Sequence, residues 1–454
     1  MTSLEELADR LTDSRLVTEP DVMDAYRRDQ AHLVEPGQPL AVLLAGSTED
    51  ISTALAWANR HDVPVVPRGA GTGLAGGAAA SDGCLVVSTA RMTSIRELAA
   101  DDEFLVAEAG VLNADVDRAA AEVGLMYAPD PSSHEISTIG GNLATNAGGL
   151  RCVKYGVTRD SVLGLEVVLA DGRVIRTGRR TVKGVAGYDL TSLFVGSEGT
   201  LGVITSATLR LRPRPRGEVV TLAGSFPTLR AAADAVAAIV RAGLQPCLLE
   251  LMDRATLRAI EDWKHMGLDD PAAMLVAQAD GIGARDCAEQ MQGIFEQSGA
   301  DFVAISDDAA EADQLLDIRR LAYPAAERLG RCLVEDVGVP RSRLPELLDR
   351  IEAAGARHDV VVMTVAHAGD GNVHPTFVFD AQADGEVPDN VWAAADEVFS
   401  AAIDLGGTLT GEHGVGVLKR RWLSLELGED SLDVHRSIKH ALDPRGILNP
   451  GKGI

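Results

Sequence analysis

Between residues 366 and 375 the chain reads AHAGDGNVHP, which sets His367 and His374 seven positions apart around Gly369, Asp370, Gly371 and Asn372. Seven is a helical spacing, but two glycines, an aspartate and an asparagine make a poor helix interior. The flanking DVVVMTV and TFVFD read instead as two strands around a turn, residues 359–367 against 373–379. That pairing sets the two imidazoles across from one another on one face, where opposed Cβ atoms lie about 4.5–5.5 Å apart. Two imidazoles so placed can share a metal ion. A second cluster, GTLTGEHGVG, carries Glu412 and His413 between glycines, which allow a bent loop in which both side chains reach one site. Two histidines and a glutamate with an open coordination position form a catalytic rather than a structural metal set. Taken singly, a histidine usually does no more than cap a loop.

The elements that must position these residues are legible in outline. The 454 residues are enough for two or three domains, and 46% hydrophobic with 24% charged residues is ordinary for a globular protein. The formal charge of −25 argues against nucleic acid or an anionic membrane surface as the main partner. Cys84, Cys152, Cys247, Cys287 and Cys332 are scattered without a CxxC pair, which disfavours a zinc knuckle, an iron–sulfur cluster or a disulfide framework. There is no apolar signal core and no run approaching a membrane span of about twenty residues, so the cytoplasm is the expected compartment. Residues 1 to about 35 read as helical. An apolar run ending in STED predicts a capped helix, followed by the short strand VPVVP. Asp171-Gly172 between apolar runs predicts a hairpin. After Pro215, alanine-rich helices alternate with apolar strands, which predicts an α+β second domain. The expected division is 1–216, 217–415, and a tail 416–454 that rejoins the first domain.

Three glycine-rich segments punctuate the first domain. PRGAGTGLAGG, residues 67–77, satisfies GxGxxG, yet a dinucleotide turn needs a sizeable helix next and an acidic ribose ligand about twenty residues on. Here AAAS leads directly to Asp82-Gly83 and a new strand, and the ribose position reads TARM. What remains is a loop with little side-chain bulk and many N–H groups, able to wrap a pyrophosphate with its backbone or to serve only as a surface loop. TIGGNLATNAGG and GSEGTLGVIT add further bare backbone, as for an extended ligand lying along the chain.

The order PRGAGTGLAGG, TIGGNLATNAGG, KYG, GSEGTLGVIT resembles the FAD-binding domain of the vanillyl-alcohol oxidase/p-cresol methylhydroxylase flavoproteins. HAGDGNVHP, TGEHGVG and the terminal DPRGILNPGK resemble its D-2-hydroxyacid dehydrogenase branch, which includes D-lactate and D-2-hydroxyglutarate dehydrogenases and the glycolate oxidase FAD subunit. The resemblance covers nearly the whole chain. It implies an α+β fold: a two-part FAD-binding domain of the p-cresol methylhydroxylase type plus an α+β cap. FAD is then expected on Pro67, Arg68, Gly69, Ala70, Gly71, Thr72, Gly73 and Leu74. A second contact runs through Pro131, Ser132, Thr138, Gly140, Gly141 and Asn142, and on through Ala147, Gly148, Gly149, Tyr155 and Gly156. Glu198, Gly199, Gly202, Ile204 and Asn449 complete it. Relatives with covalent flavin attach it to a histidine or cysteine, and the first loop has neither, so non-covalent FAD is expected.

The resemblance also implies His367, His374 and Glu412 as ligands of a divalent ion, zinc fitting best and manganese or iron remaining open. His413 becomes the general base toward a substrate hydroxyl, Arg319 the partner of a substrate carboxylate, and Asn372 a shaper of the turn that also reaches substrate. The expected reaction is oxidation of a D-2-hydroxy acid to the 2-oxo acid. In 2-hydroxyglutarate relatives a lysine helps to hold the distal carboxylate; Val334 stands at that position here and Tyr323 at a nearby polar one, which points to a lactate-like or glycolate-like substrate. With no haem motif or cluster cysteines, electrons must pass to a cytochrome, an electron-transferring flavoprotein, a quinone or a dye, and a peripheral membrane association through that acceptor is compatible. A homodimer stays open. An oxygen-using oxidase and a non-catalytic electron-carrying subunit are the rival readings. Lys419, Arg420 and Arg421 are expected to form a solvated helix face, and His134 and Lys183 to lie in flavin-domain loops.

Overall fold

The computed structural model describes residues 3–380 and 386–454. The chain forms two compact units. One comprises residues up to Gly148, Gly156–Arg214 and Glu412–Ile454; the other comprises Gly149–Tyr155 and Pro215–Gly411.

Beside a short pairing of Leu125–Met126 with Arg212–Pro213, the first unit holds two larger sheets. In the smaller, Ala41–Leu44, Leu85–Ser88 and Val65–Arg68 run parallel. Ser47 caps the helix Thr48–His61, its hydroxyl accepting from the Asp50 amide, as STED predicts. That helix buries Ile51, Leu55, Trp57 and Ala58 against Leu43, Leu85 and Val87. Residues 1 to about 35 differ from the expected helical segment. They contain the short helices Ser3–Ala8 and Pro20–Asp24, and between them Arg15–Val17 pairs antiparallel with Ala41–Leu44. The cause is Asp50, whose carboxylate accepts from the amides of Thr12 (3.0 Å) and Asp13 (2.8 Å) and so pulls the segment into extended chain.

The second sheet of this unit is antiparallel, ordered Ile95–Ala99, Phe104–Glu108, Val203–Arg210, Val162–Val168, Val174–Gly178. The expected hairpin is its last pair, turning at Gly172 with φ +89°. The chain returns late to finish the unit. Val65 donates to the carbonyl of Ile447 (2.8 Å) and accepts from the amide of Asn449 (2.7 Å). The Asn449 amide group donates to the carbonyls of Gly77 (2.9 Å) and Glu198 (2.7 Å).

The second unit is one eight-stranded antiparallel sheet. Its order is Phe302–Ser306, Glu218–Phe226, Ala273–Gly281, Leu248–Asp253, Val361–His367, Asn372–Phe379, Arg331–Val334, with Val337–Gly338 pairing further along Asn372–Phe379. One face carries Met252, Met363 and Val365. It packs against Leu257 and Ile260 of the helix Arg254–Lys264, and against Leu316, Ala322 and Ala325 from the consecutive helices Ala309–Arg320 and Ala322–Leu329.

Asp253 locks two of these elements together. Its carboxylate caps Arg254–Lys264 through the Thr256 amide and also accepts from the Thr364 amide of the adjacent strand, both at 2.8 Å. Burial pushes this carboxyl up from 3.8 to about 6, the amide donors opposing the shift. A raised folded pKa means that stability is present below the unfolded value and is lost as pH rises through about 6. Measured by denaturant unfolding, Asp253→Asn should therefore gain on the parent by about 1 kcal/mol between pH 5 and pH 7. A difference that stays flat across that range would count against the assignment.

Candidate active site

The two imidazoles of the opening motif lie in the second unit, on adjacent strands. The register places His367 opposite Asn372 and His374 opposite Val365, so the histidines are diagonal neighbours rather than the directly opposed pair expected. The reason is the length of the turn. Asp370 and Gly371 both donate to the His367 carbonyl, and this tight turn brings Asn372, not His374, level with His367. Side chains of the two histidines still share one face, with ring centroids 5.0 Å apart and planes at 84°. Gly371 holds φ +87°, and a Cβ there would meet the Val339 carbonyl oxygen at 2.2 Å. Any side chain at 371 would open the turn.

Two buried carboxylates, neither of them among the residues expected from sequence, stand behind this pair. Glu250 lies directly across from His367 on the neighbouring strand. Its oxygens are 2.8 and 3.0 Å from His367 Nδ1, and one accepts from Arg319 Nε at 2.9 Å. Asp336 accepts from the Asn372 side-chain amide (2.5 Å) and the Thr410 hydroxyl (2.6 Å), and stands 3.8 Å from His374 Nδ1. The signal that existed was positional: acidic residues inside the apolar strings LLELM and CLVEDVGV, where an unpaired charge would be costly.

The other expected residues fall as follows. Arg319 sits in the last turn of Ala309–Arg320, with its Nε edge on Glu250. Arg320 pairs with Asp317 at 2.8 Å on the exposed side. Asn372 is buried, its amide donors committed to Asp336 and the Val337 carbonyl, which leaves its oxygen for other work. Val334 pairs with Thr376, on the face that carries His374; Tyr323 is on the helix Ala322–Leu329.

Glu412 and His413 belong to the first unit, His413 Nε2 lying 3.9 Å from the Glu412 carboxylate. Gly148 is pressed against Glu412: a Cβ at 148 would sit 2.4 Å from its Oε2. Lys419 departs from expectation. It is buried, not on a solvated face, because the turn after Val415 carries it inward beside the buried Glu198. Arg420 and Arg421 are exposed as expected. His134 is half-exposed, bonding the Pro131 carbonyl at 3.1 Å, and Lys183 is exposed.

The glycine-rich segments meet within the first unit. Gly69 packs so closely on Thr138 that a Cβ would stand 2.3 Å from its hydroxyl oxygen, the same oxygen that caps the helix Ile139–Thr145. Gly71 has φ +76° and a Cβ there would meet the Arg68 guanidinium. Among the described residues, the amides of Ala70, Gly71, Thr72 and Gly73 donate to no protein acceptor. Glu198 accepts from the amides of Val415 and Gly416, both at 2.8 Å. Gly149 and Tyr155, expected with these segments, lie in the other unit, where the Tyr155 hydroxyl donates to Asp280 at 2.5 Å.

Residues 39–178 match the model of an FAD binding domain, and residues 215–453 match that of the FAD linked oxidases, C-terminal domain. The chain belongs to the FAD-linked oxidases. It is 45% identical over 421 residues to the glycolate oxidase subunit GlcD of Bacillus subtilis (strain 168), covering 91% of this chain and 88% of that one. It is 37% identical to a D-lactate dehydrogenase of Archaeoglobus fulgidus over 94% and 95% of the two chains. A 4-ethylphenol oxidase from Gulosibacter chungangensis shares the fold with a TM-score of 0.79 at 19% identity, over 100% of this chain and 96% of that one. A p-cresol methylhydroxylase does so with 0.79 at 17%, over 99% and 96%.

This FAD-linked oxidase is thus an oxidoreductase of the two-domain p-cresol methylhydroxylase fold, and it binds FAD. The first unit fits that cofactor. Uncommitted amides from Ala70 to Gly73 are what a pyrophosphate needs, and the absence of Cβ atoms at Gly69 and Gly71 keeps the loop against Thr138 and Arg68. Among the described residues no helix of this oxidase is long and apolar enough to cross a membrane.

Adding a methyl group at Gly69 or Gly71 should dislodge this loop. Gly71→Ala should be purified with less than a tenth of the parent's FAD per chain, read from the flavin absorbance, while its far-ultraviolet circular dichroism stays close to the parent's. Full flavin content would show that the loop is not part of the cradle.

Proposed function

We propose that this FAD-linked oxidase oxidises a short D-2-hydroxy acid, of the lactate or glycolate kind, to the corresponding 2-oxo acid, assisted by a divalent ion and using non-covalent FAD. The observation that carries the reading is the grouping of two buried imidazoles with the arginine anchored beside them through Glu250. Relatives named as a glycolate oxidase subunit and as D-lactate dehydrogenases support the same substrate class.

His367 and His374 would hold the ion, with Glu412 as third ligand. Gly411 packs against Asn372 within the cap unit, and one peptide bond, about 3.8 Å between Cα atoms, joins it to Glu412. Two nitrogens and a carboxylate oxygen suit zinc, manganese or iron and leave positions open. A divalent ion there supplies Lewis acidity toward the C2 hydroxyl. FAD, when bound, supplies the hydride acceptor.

The chain's own groups do the rest. Arg319 keeps both terminal nitrogens for the substrate carboxylate because its Nε is taken by Glu250, and a planar fork matches a carboxylate in two-point fashion. His413 accepts the proton of the C2 hydroxyl. Val334 in place of a cation gives no charge to hold a second, distal carboxylate, which supports a short substrate. Electrons leave to an external acceptor, a cytochrome, an electron-transferring flavoprotein or a quinone. The relative described as a subunit is consistent with such a partner.

A panel of D- and L-2-hydroxy acids with an artificial dye, run with and without chelator, tests this reading. D-Lactate or glycolate should bleach the flavin, and chelation should abolish turnover until metal is restored. His413→Ala should retain near-normal flavin content and be reduced about 10²–10⁴-fold more slowly, the range of a lost general base. Activity that ignores chelator and survives His367→Ala would remove the metal from the scheme. Rapid reoxidation by oxygen would favour an oxidase over a dehydrogenase.

A further inference from the structure

We propose that Glu250 is a positioning residue that sets the metal ligand His367 and the substrate-binding Arg319 together, so that metal affinity and carboxylate recognition stand or fall as one property. This rests on the metal-assisted oxidation proposed above.

Glu250 is fully buried, and the β-register puts it level with His367 on the same face of the sheet. Its acceptors are both in use. Oε1 lies 2.8 Å and Oε2 3.0 Å from His367 Nδ1, and Oε2 also accepts from Arg319 Nε at 2.9 Å. The hydrogen bonds to this carboxylate occupy Nδ1, so Nε2 is the ring nitrogen that points away from Glu250. The same logic fixes the arginine. With Nε held, the guanidinium plane cannot swing about its last torsions, and its two terminal nitrogens face one direction as a fork. A single oxygen, Oε2, touches both partners, so a movement that loosens one loosens the other. Arg319 comes from the covering helix and His367 from the sheet. Glu250 is thus the point at which the substrate-binding helix is registered on the metal-binding strand.

A glutamine separates this from a merely structural ion pair. With shape and volume kept, its NH₂ replaces one acceptor: in the place of Oε1 it confronts His367 Nδ1, and in the place of Oε2 it confronts both Nδ1 and Arg319 Nε. Glu250→Gln should hold Zn²⁺ and Mn²⁺ about 10–100-fold more weakly, the usual effect of losing a group behind a ligating histidine. The readout is metal retained per chain after dialysis against buffers of graded free-metal concentration. Its KM for D-lactate and glycolate should rise at least tenfold with saturating metal present, and FAD per chain should match the parent. Glu250→Asp, which keeps the charge but cannot span both partners, should show the same paired losses and stands in if the glutamine variant is insoluble. Metal affinity and KM both within twofold of the parent would overturn the proposal, as would a loss confined to one of them. A parent that retains no metal would overturn the metal-assisted reading itself, a result distinct from any change in the variant, and unchanged KM in Glu250→Gln would then dispose of the arginine arm as well.

Discussion

A carboxylate sealed from water is tolerable only where donors replace its hydration. Glu250 meets that demand through His367 and Arg319, and in doing so fixes what each can do. The constraint reaches outward from there. The strand Leu248–Asp253 must pair in register with Val361–His367, the turn at Gly369–Gly371 must be tight enough to bring the second imidazole diagonally beside the first, and the helix ending at Arg320 must close over this face. Asp336 repeats the arrangement on the other flank, tying Asn372 and Thr410 together near His374. An apolar face that would otherwise be plain sheet core thereby carries a polar cluster whose donors and acceptors are largely answered from within.

The chemistry-bearing turn was legible from sequence because its composition is contradictory as a helix and sensible as a hairpin. Its exact register was not, since the strand pattern cannot count turn residues, and the imidazoles came out diagonal instead of opposed. The glycine segments were legible for the same compositional reason: only a backbone meant for close approach dispenses with side chains three times over. Glu250 and Asp336 were hidden. Each is a single acid inside an apolar run, and nothing local says which partner will arrive from 69 or 74 residues away. Lys419 was misread on similar grounds, since a basic triplet looks solvated until the fold supplies a buried acid. The N-terminal stretch was misread because Asp50, not its own periodicity, decides its conformation.

The flavin unit uses a different economy of groups. Its loop residues from Ala70 to Gly73 leave their amides uncommitted, and its charges (Arg68, Asp29, Glu198, Lys452) are buried around that bare backbone. Burial depresses Lys452 to about 8 and pushes Asp29 upward. Such groups hold segments distant in sequence against one another: the Asp29 carboxylate accepts from the Ala78 amide, and Lys452 donates to the Ala79 carbonyl. The cradle's shape is a long-range product, although its ingredients are local.

The return of residues 443–449 to the strand at Val65 bears on the order of events at the ribosome. Nearly all of the cap is contiguous, from Pro215 to Gly411, and can condense while the chain is still being made. The flavin unit cannot, because its parallel bridge from Val65 to Leu448 spans almost the whole chain. Loop closure on that scale is slow, so the nascent protein passes through a stage with a finished cap and an open cradle. Closure of the cradle is then a late event, coupled to docking of the returning segment on Val65.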